Sequence, residues 1–278
     1  MTIETFDGLV VAITGAGSGI GRGLALEAAA RGAHLALSDI DIARAEATAA
    51  MITTPGTTVT VHALDVADRS AVFAWADTVV AEHGRANVII NNAGVALMAP
   101  VAELSITDFE WLMQINFWGV VHGTQAFLPH LKAADVGHVV NISSVFGLMA
   151  IPSQSAYNAA KFAVRGFTDA LRIELDVDRE ANVSATTIHP GGIKTNIARD
   201  ARSNDDDPEL RLESERSFDA VARTTPAKAA AQILDAVQKN RRRALIGPDA
   251  IAFDLVARLP AVVSQRILTS VARRRLGL

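Results

Sequence analysis

Short β-branched runs alternate with helix-length segments along nearly the whole chain, and this alternation limits the folds open to it. Runs at residues 9–14, 33–38, 57–64, 87–90, 138–142, 183–189 and 243–246 are apolar or alternate Val with Thr. Between them lie segments long enough for helices, at 40–52, 67–83, 105–131, 154–178 and 226–239, with one more running from a glycine turn to about residue 31. Strand and helix repeated in this way build a parallel, doubly wound α/β sheet with right-handed crossovers, here of about seven strands. Ligands on such sheets sit beyond the carboxyl ends of the strands. No internal repeat or linker divides the chain. Residues 1–247 read as one domain and 248–278 as an apolar, basic, helical extension. A chain of 278 residues that is half hydrophobic is ample for one large core.

The richest chemistry lies between residues 144 and 161. Tyr157 and Lys161 are four residues apart, so in a helix they stand on one face, one turn apart. A phenol with its ordinary pKa of about 10 is a poor general base near neutral pH. A neighbouring ammonium favours the phenolate and lowers that value, while burial opposes it. The expectation is that the charge dominates and Tyr157 titrates below its ordinary value. Ser144 ends a strand-like run and can offer a hydroxyl to the same substrate oxygen; Ser143 is the second candidate. An amphipathic helix with a half-buried Tyr and a snorkelling Lys carries the same spacing, so the motif gains weight only from its companions.

One companion is the turn after the first strand, Thr14-Gly15-Ala16-Gly17-Ser18-Gly19-Ile20-Gly21. Between a strand and a helix, such glycines let the backbone approach a pyrophosphate, whose charge the helix N-terminus stabilises. The spacing is TGxxxGxG rather than GxGxxG. Asp39 ends the second strand, 20 residues past Gly19, where an acid takes the adenosine-ribose hydroxyls. Its other reading is an N-cap for the helix that follows.

Composition closes several routes. With no cysteine there is no thiol nucleophile, disulfide or Cys metal site, and the seven His fall into no short-spaced metal pattern. No metal is expected. The net charge is −4, and residues 241–278 alone hold eight Arg against two Asp. An acidic body with a basic tail argues against nucleic-acid binding. No signal-peptide core or membrane-spanning run stands out, and a cytoplasmic location is expected.

TGAGSGIG, Asn91-Asn92-Ala93-Gly94, Asn116, Ser144, Tyr157-x-x-x-Lys161 and Pro190-Gly191 with Thr195 occur in this order in one chain. Over about residues 6–247 the sequence resembles the short-chain dehydrogenase/reductase family. The resemblance implies a Rossmann-type fold, hydride transfer with a nicotinamide cofactor, and a homodimer or homotetramer. It implies Tyr157 as acid/base, Lys161 lowering its pKa and binding the nicotinamide ribose, and Ser144 holding the substrate oxygen. Asn116 orders a water leading to Lys161. The cofactor is implied to lie on Gly15, Gly17, Ser18, Gly19, Ile20 and Gly21. Asp65 and Val66 would hold the adenine, while Asn91, Asn92, Ala93 and Gly94 close over the cofactor. Pro190, Gly191, Ile193 and Thr195 would position the carboxamide. His189 reads as a strand-end residue, not a catalyst. Two alternatives stay open: a reductase of acyl-thioester ketones, and a non-catalytic nucleotide sensor on the same fold.

Further expectations attach to particular segments. Asp39, with Ile40 after it and Ser18 before Gly19, favours NAD over NADP, since neither Ile40 nor Ser18 offers a cation to a 2′-phosphate. Val95, Leu97, Met98, Val145, Phe146, Leu148, Met149, Ile151, Ile193 and Ile197 are expected around a lipophilic alcohol or ketone, some of them serving as core. The polar insert at 196–225 reads as a lid, with Asp205–Asp207 a solvated run. In the extension, Ile251, Leu255 and Leu259, then Val263, Ile267 and Val271, are spaced to pack on the domain or a partner subunit, with peripheral contact to an anionic membrane the alternative.

Overall fold

The structure is a computed structural model that describes residues 2–178, 182–197, 201–203 and 222–275. Seven strands form one parallel sheet: β1 (Val10–Thr14), β2 (His34–Asp39), β3 (Val59–Ala63), β4 (Val88–Asn91), β6 (Gly137–Ile142), β7 (Val183–Pro190) and β9 (Arg243–Ile246). Their order is β3-β2-β1-β4-β6-β7-β9. The order reverses direction between β1 and β4, and the crevice at their carboxyl ends is the natural ligand site of such a sheet. β1, β4, β6 and β7 are buried along their whole length, which is why they read as near-continuous apolar runs.

Alternate strand residues feed two cores. Val11 and Ile13 point toward α1 (Gly19–Ala30) and α7 (Pro226–Gln238), meeting Leu24, Ile233 and Leu234. Val10 and Ala12 point the other way, toward α3 (Arg69–His83), α5 (Gly119–Ala133) and α6 (Ser155–Val177), into a core built on Trp75, Phe127 and Leu171. Gly23 lets α7 lie directly on α1, since a Cβ there would come within 2.8 Å of the Pro226 carbonyl oxygen.

Three departures from the sequence-based expectations concern the site. The segment at 40–52 becomes α2 (Ile42–Ala50), and Asp41, not Asp39, is its cap, accepting from the Arg44 amide at 3.2 Å. The segment at 105–131 is not one helix. It comprises α4 (Ile106–Met113), a π turn (Gln114–Trp118) and α5. Asn116 lies in the π turn with both side-chain atoms paired to the backbone of Val95, at 2.8 Å each. A local widening of the helix lets Asn116 reach that loop while Gly119 still packs on Val66 and Gly123 on Asn91 of β4. A small parallel pair, β5 (Leu97–Met98) with β8 (Arg202–Ser203), was not anticipated at all. Arg202 holds it down, its guanidinium carbon 3.7 Å from the Trp111 ring centre and Nη1 3.3 Å from Asp108. Most of the expected lid, including Asp205–Asp207, lies outside the described residues.

The extension forms α8 (Pro248–Ala257) and α9 (Ala261–Arg275), separated at Pro260 as its ring demands. The stripe does not pack on the domain. Ile251, Leu255 and Leu259 are exposed, as are Val263, Ile267 and Val271. The face of α8 turned inward carries Ala250 and Asp254, both buried. No described helix is long and apolar enough to cross a membrane.

Candidate active site

The glycine turn is shaped by what presses on it. A Cβ on Gly15 would fall 2.8 Å from the Ala93 Cα, one on Gly17 2.8 Å from Asp39 Oδ2, and one on Gly21 2.0 Å from the Gly15 carbonyl oxygen. Ser18 caps α1 without a side-chain hydrogen bond, so the first amides of that helix keep their capacity for an anion. Asp39 Oδ2 accepts from the Gly17 amide at 2.8 Å and Oδ1 from the Asp41 amide at 3.0 Å. The carboxylate is thereby fixed at the rim of the turn rather than capping a helix. Thr14 ties the two central strands together. Its hydroxyl accepts from the amides of Asn92 and Ala93, both at 3.0 Å, and Asn92 Nδ2 donates to the carbonyls of Thr14 and Gly15. Asp65 turns its carboxylate to the Ala67 amide, and the Val66 carbonyl meets His122 Nδ1 at 3.1 Å.

A cleft of about 560 Å³ opens beside this turn, lined by Gly17, Ser18, Gly19, Arg22, Arg44, Lys194 and Thr195 among others. Three of those residues are cations. Arg22 bonds the Gly17 carbonyl at 2.5 Å, and Arg44 pairs with Asp41 at 3.1 Å. Sequence reasoning missed Arg22 and Arg44, which come from α1 and α2 rather than from positions adjoining Asp39 or Gly19. A close-packed glycine cradle, open helix amides and a positive cleft fit a dinucleotide diphosphate.

At the other end of the crevice, β6 runs into a 3₁₀ turn (Val145–Gly147) and α6 brings Tyr157 and Lys161 beneath it. Ser144 and Lys161 are buried, and Tyr157 is half-buried. The Lys161 ammonium lies 5.5 Å from the Tyr157 ring centre and donates to the Ile142 carbonyl at 3.0 Å. A Cβ on Gly94 would come 3.6 Å from that ammonium and 3.2 Å from Asn116 Oδ1. Ser143 faces away, its hydroxyl donating to the Lys161 carbonyl at 2.8 Å. His189, fully buried at the end of β7, bonds the Ser144 carbonyl through Nδ1 at 2.8 Å, and burial depresses its pKa to about 4. It orients the serine backbone as a neutral imidazole.

The expected pKa balance is reversed. Burial pushes Tyr157 up to about 12, and the hydrogen bond with Ser144 only partly opposes this. Burial also lowers Lys161 to about 8. In the protein alone, desolvation prevails, and the Lys161 ammonium gives its hydrogen bond to a backbone carbonyl.

The loop after β7 is gripped from two sides. Ile193 pairs with Thr224 as an isolated parallel bridge, with the Lys194 amide donating to the Thr224 carbonyl at 2.9 Å. The Gly192 amide donates to Asp249 of α8 at 2.5 Å. Thr195 reaches the glycine turn, its methyl 3.0 Å from a Cβ built on Gly19. Of the ten apolar residues expected around a substrate, Leu97, Val145, Leu148, Met149 and Ile193 are buried core. Val95, Met98, Phe146, Ile151 and Ile197 remain partly open.

With this geometry in view, the chain compares closely with known proteins. A family model described as short chain dehydrogenase matches residues 9–206. The Mycobacterium tuberculosis oxidoreductase SadH is 46% identical over 269 residues, covering 96% of each chain. A short chain dehydrogenase/reductase from Burkholderia phymatum, solved in complex with NAD, is 30% identical with a TM-score of 0.83, over 91% of this chain and 93% of its own. Levodione reductase is 31% identical with a TM-score of 0.79, over 89% of this chain and 99% of its own.

Proposed function

The chain belongs to the short-chain dehydrogenase/reductase family, and on that premise we propose that it oxidises a lipophilic secondary alcohol with NAD, ketone reduction being the same step reversed. The observation that carries the proposal is the convergence of Ser144, Tyr157 and Lys161 at the mouth of the crevice whose other end is the glycine cradle. Bound NAD supplies the hydride acceptor and a positive charge at the nicotinamide.

The protein's own work is the proton. Tyr157 takes the hydroxyl proton of the alcohol as its C–H hydride departs, and Ser144 holds the substrate oxygen through its hydroxyl. Lys161, with its pKa near 8, keeps an ammonium at neutral pH to stabilise the phenolate. Asn116, held by its side chain on Val95, orders a water leading to Lys161. The Asp39 carboxylate takes the adenosine-ribose hydroxyls, which supports NAD as the partner. The partly open residues Val95, Met98, Phe146, Ile151 and Ile197 support an apolar substrate. The exposed stripes of α8 and α9 support burial against a second copy; sizing with and without anionic vesicles separates this from membrane contact.

NADH formation across a panel of small polyols and apolar secondary alcohols tests the reading. Apolar alcohols should be turned over best, and Tyr157→Phe should remove turnover while NADH still binds. Better turnover of polyols, or activity surviving in Tyr157→Phe, would overturn it.

A further inference from the structure

The extension enters the site at two points. Asp249, in the first turn of α8, lies against the loop after β7. Its Oδ2 takes the Gly192 amide at 2.5 Å, and a Cβ on Gly191 would stand 2.2 Å from that same oxygen. A Cβ on Gly247 would stand 2.8 Å from Oδ1. The carboxylate is therefore wedged between two stretches of bare backbone, and glycine at both positions leaves room for it. The helix start beneath it favours its charge.

One turn further along α8, Phe253 packs edge-on to Phe146, with ring centres 6.2 Å apart and planes at 82°. Phe146 packs edge-on to Tyr157 at the same distance and angle. A continuous aromatic row thus runs from the phenol into the extension. Phe146 and Phe253 are both half-buried, so the row offers a partly open apolar wall beside the phenol. A domain that ended at β9 would have neither the loop's anchor nor the end of this wall.

We propose that α8 is a working part of the active site. Asp249 is a positioning residue that sets the 190–195 loop against the glycine turn, and Phe253 is a specificity-determining residue that closes the apolar wall beside Tyr157. The proposal rests on the dehydrogenase reading above for what the loop and wall serve. Asp249 acts on a loop that touches the turn through Thr195, so its effect falls on the cofactor. Phe253 touches Phe146 rather than the turn, so its effect falls on bulky substrates. These two consequences separate the roles from general support of the fold, which would weaken both alike.

The test uses the full-length chain with NADH and a series from cyclopentanone to cyclododecanone. Hydrogen exchange of the Gly192 amide is measured without cofactor, and NADH affinity by its fluorescence. Loss of a hydrogen bond to a charged group is worth about tenfold or more. Asp249→Ala should therefore speed Gly192 exchange and weaken NADH binding by about tenfold, whereas Asp249→Asn, which keeps an acceptor, should stay within roughly threefold. Phe253→Ala is read in the Tyr157→Phe background, where ketones bind to the NADH complex without reduction. It should weaken the largest ketones by about tenfold and leave the smallest ketones and NADH unchanged. An Asp249→Ala protein that folds and matches wild type in exchange and NADH affinity overturns the first role. Equal losses across the ketone series overturn the second. If Asp249→Ala does not fold, Asp249→Asn decides: a tenfold loss there contradicts the acceptor role. If the wild type oxidises no alcohol, the proposed function fails, yet both binding arms still report on α8.

Discussion

At the scale of single residues, charge and burial compete, and the structure decides which prevails. Tyr157 is the only tyrosine of the chain, so its phenolate absorbance can be followed directly. Without cofactor, burial holds it near 12, and titration should give a midpoint well above the ordinary value of about 10. Adding NAD brings a positive ring into the site and should move the midpoint down; Lys161→Met should abolish much of that movement. A midpoint below 10 in the free protein would mean that the ammonium, not desolvation, governs the phenol. Asp39 presents a second contest. Its carboxylate repels a 2′-phosphate, yet Arg22 and Arg44 line the same cleft and attract one. Wild type should prefer NAD. Asp39→Ala should raise the ratio of NADP to NAD efficiency by about tenfold or more, since like charges brought together cost several kcal/mol. A wild-type preference for NADP would show that the two arginines dominate.

At the scale of elements, glycine positions distinguish a helix that must stay thin from one that has room. Gly123 in α5 faces Asn91, and a Cβ there would come 2.0 Å from Asn91 Oδ1. That asparagine is held by Thr124 at 3.2 Å and Asn141 at 2.8 Å, so it has little freedom to yield. Gly123→Ala should destabilise the protein by about 1–3 kcal/mol, as overpacking does. Gly166 in α6 has nothing within 4 Å of its Cβ position, and Gly166→Ala should stabilise by about 0.5–1 kcal/mol. Urea unfolding of the two variants should show opposite signs, and equal signs would contradict the packing described. The same elements show what a sequence reveals of a fold. The strands and most helices were legible because buried parallel strands and amphipathic helices write their periods directly into the chain. Ser144, Tyr157 and Lys161 were legible for the same reason, as fixed spacings on one strand end and one helix. The π turn at Asn116 was not, because its cause is a pairing with Val95, 21 residues away. Arg22 and Arg44 were missed because they reach the cleft from elements that converge only in three dimensions. The inward face of α8 was missed because a stripe of Ile251, Leu255 and Leu259 outweighs one Asp and one Phe in any periodicity.

At the scale of the whole molecule, two buried histidines tie stability to pH. His138 lies 1% exposed at the start of β6, with Nε2 2.8 Å from the Thr186 hydroxyl. That hydroxyl already donates to the Arg241 carbonyl at 2.6 Å, so the neutral imidazole must donate to it through Nε2. A second proton on Nδ1 would be buried near the Arg172 guanidinium, and burial first, then that charge, hold His138 down to about 3. His189 is held at about 4, chiefly by burial. Both folded-state values lie below the ordinary 6.5 of an unfolded chain. Between about pH 4 and 6.5 these two sites therefore bind more protons in the unfolded chain than in the folded one, and their contribution to stability rises with pH across that window. Conversely, acidifying from pH 7 to 5 should remove about 2 kcal/mol for each histidine. On the alkaline side, Lys161 adds stability as pH rises from about 8, and Tyr157 removes it above its ordinary 10 because the folded protein keeps the phenolic proton longer. The acid limb can be assigned by substitution. His138→Gln keeps a donor for Thr186 but cannot titrate, so unfolding free energies measured from pH 5 to 7 should change less steeply than in wild type, by about 2 kcal/mol over the range. Whatever His138→Gln costs at pH 7, the slope is the readout, and a slope equal to that of wild type would remove His138 from the acid response.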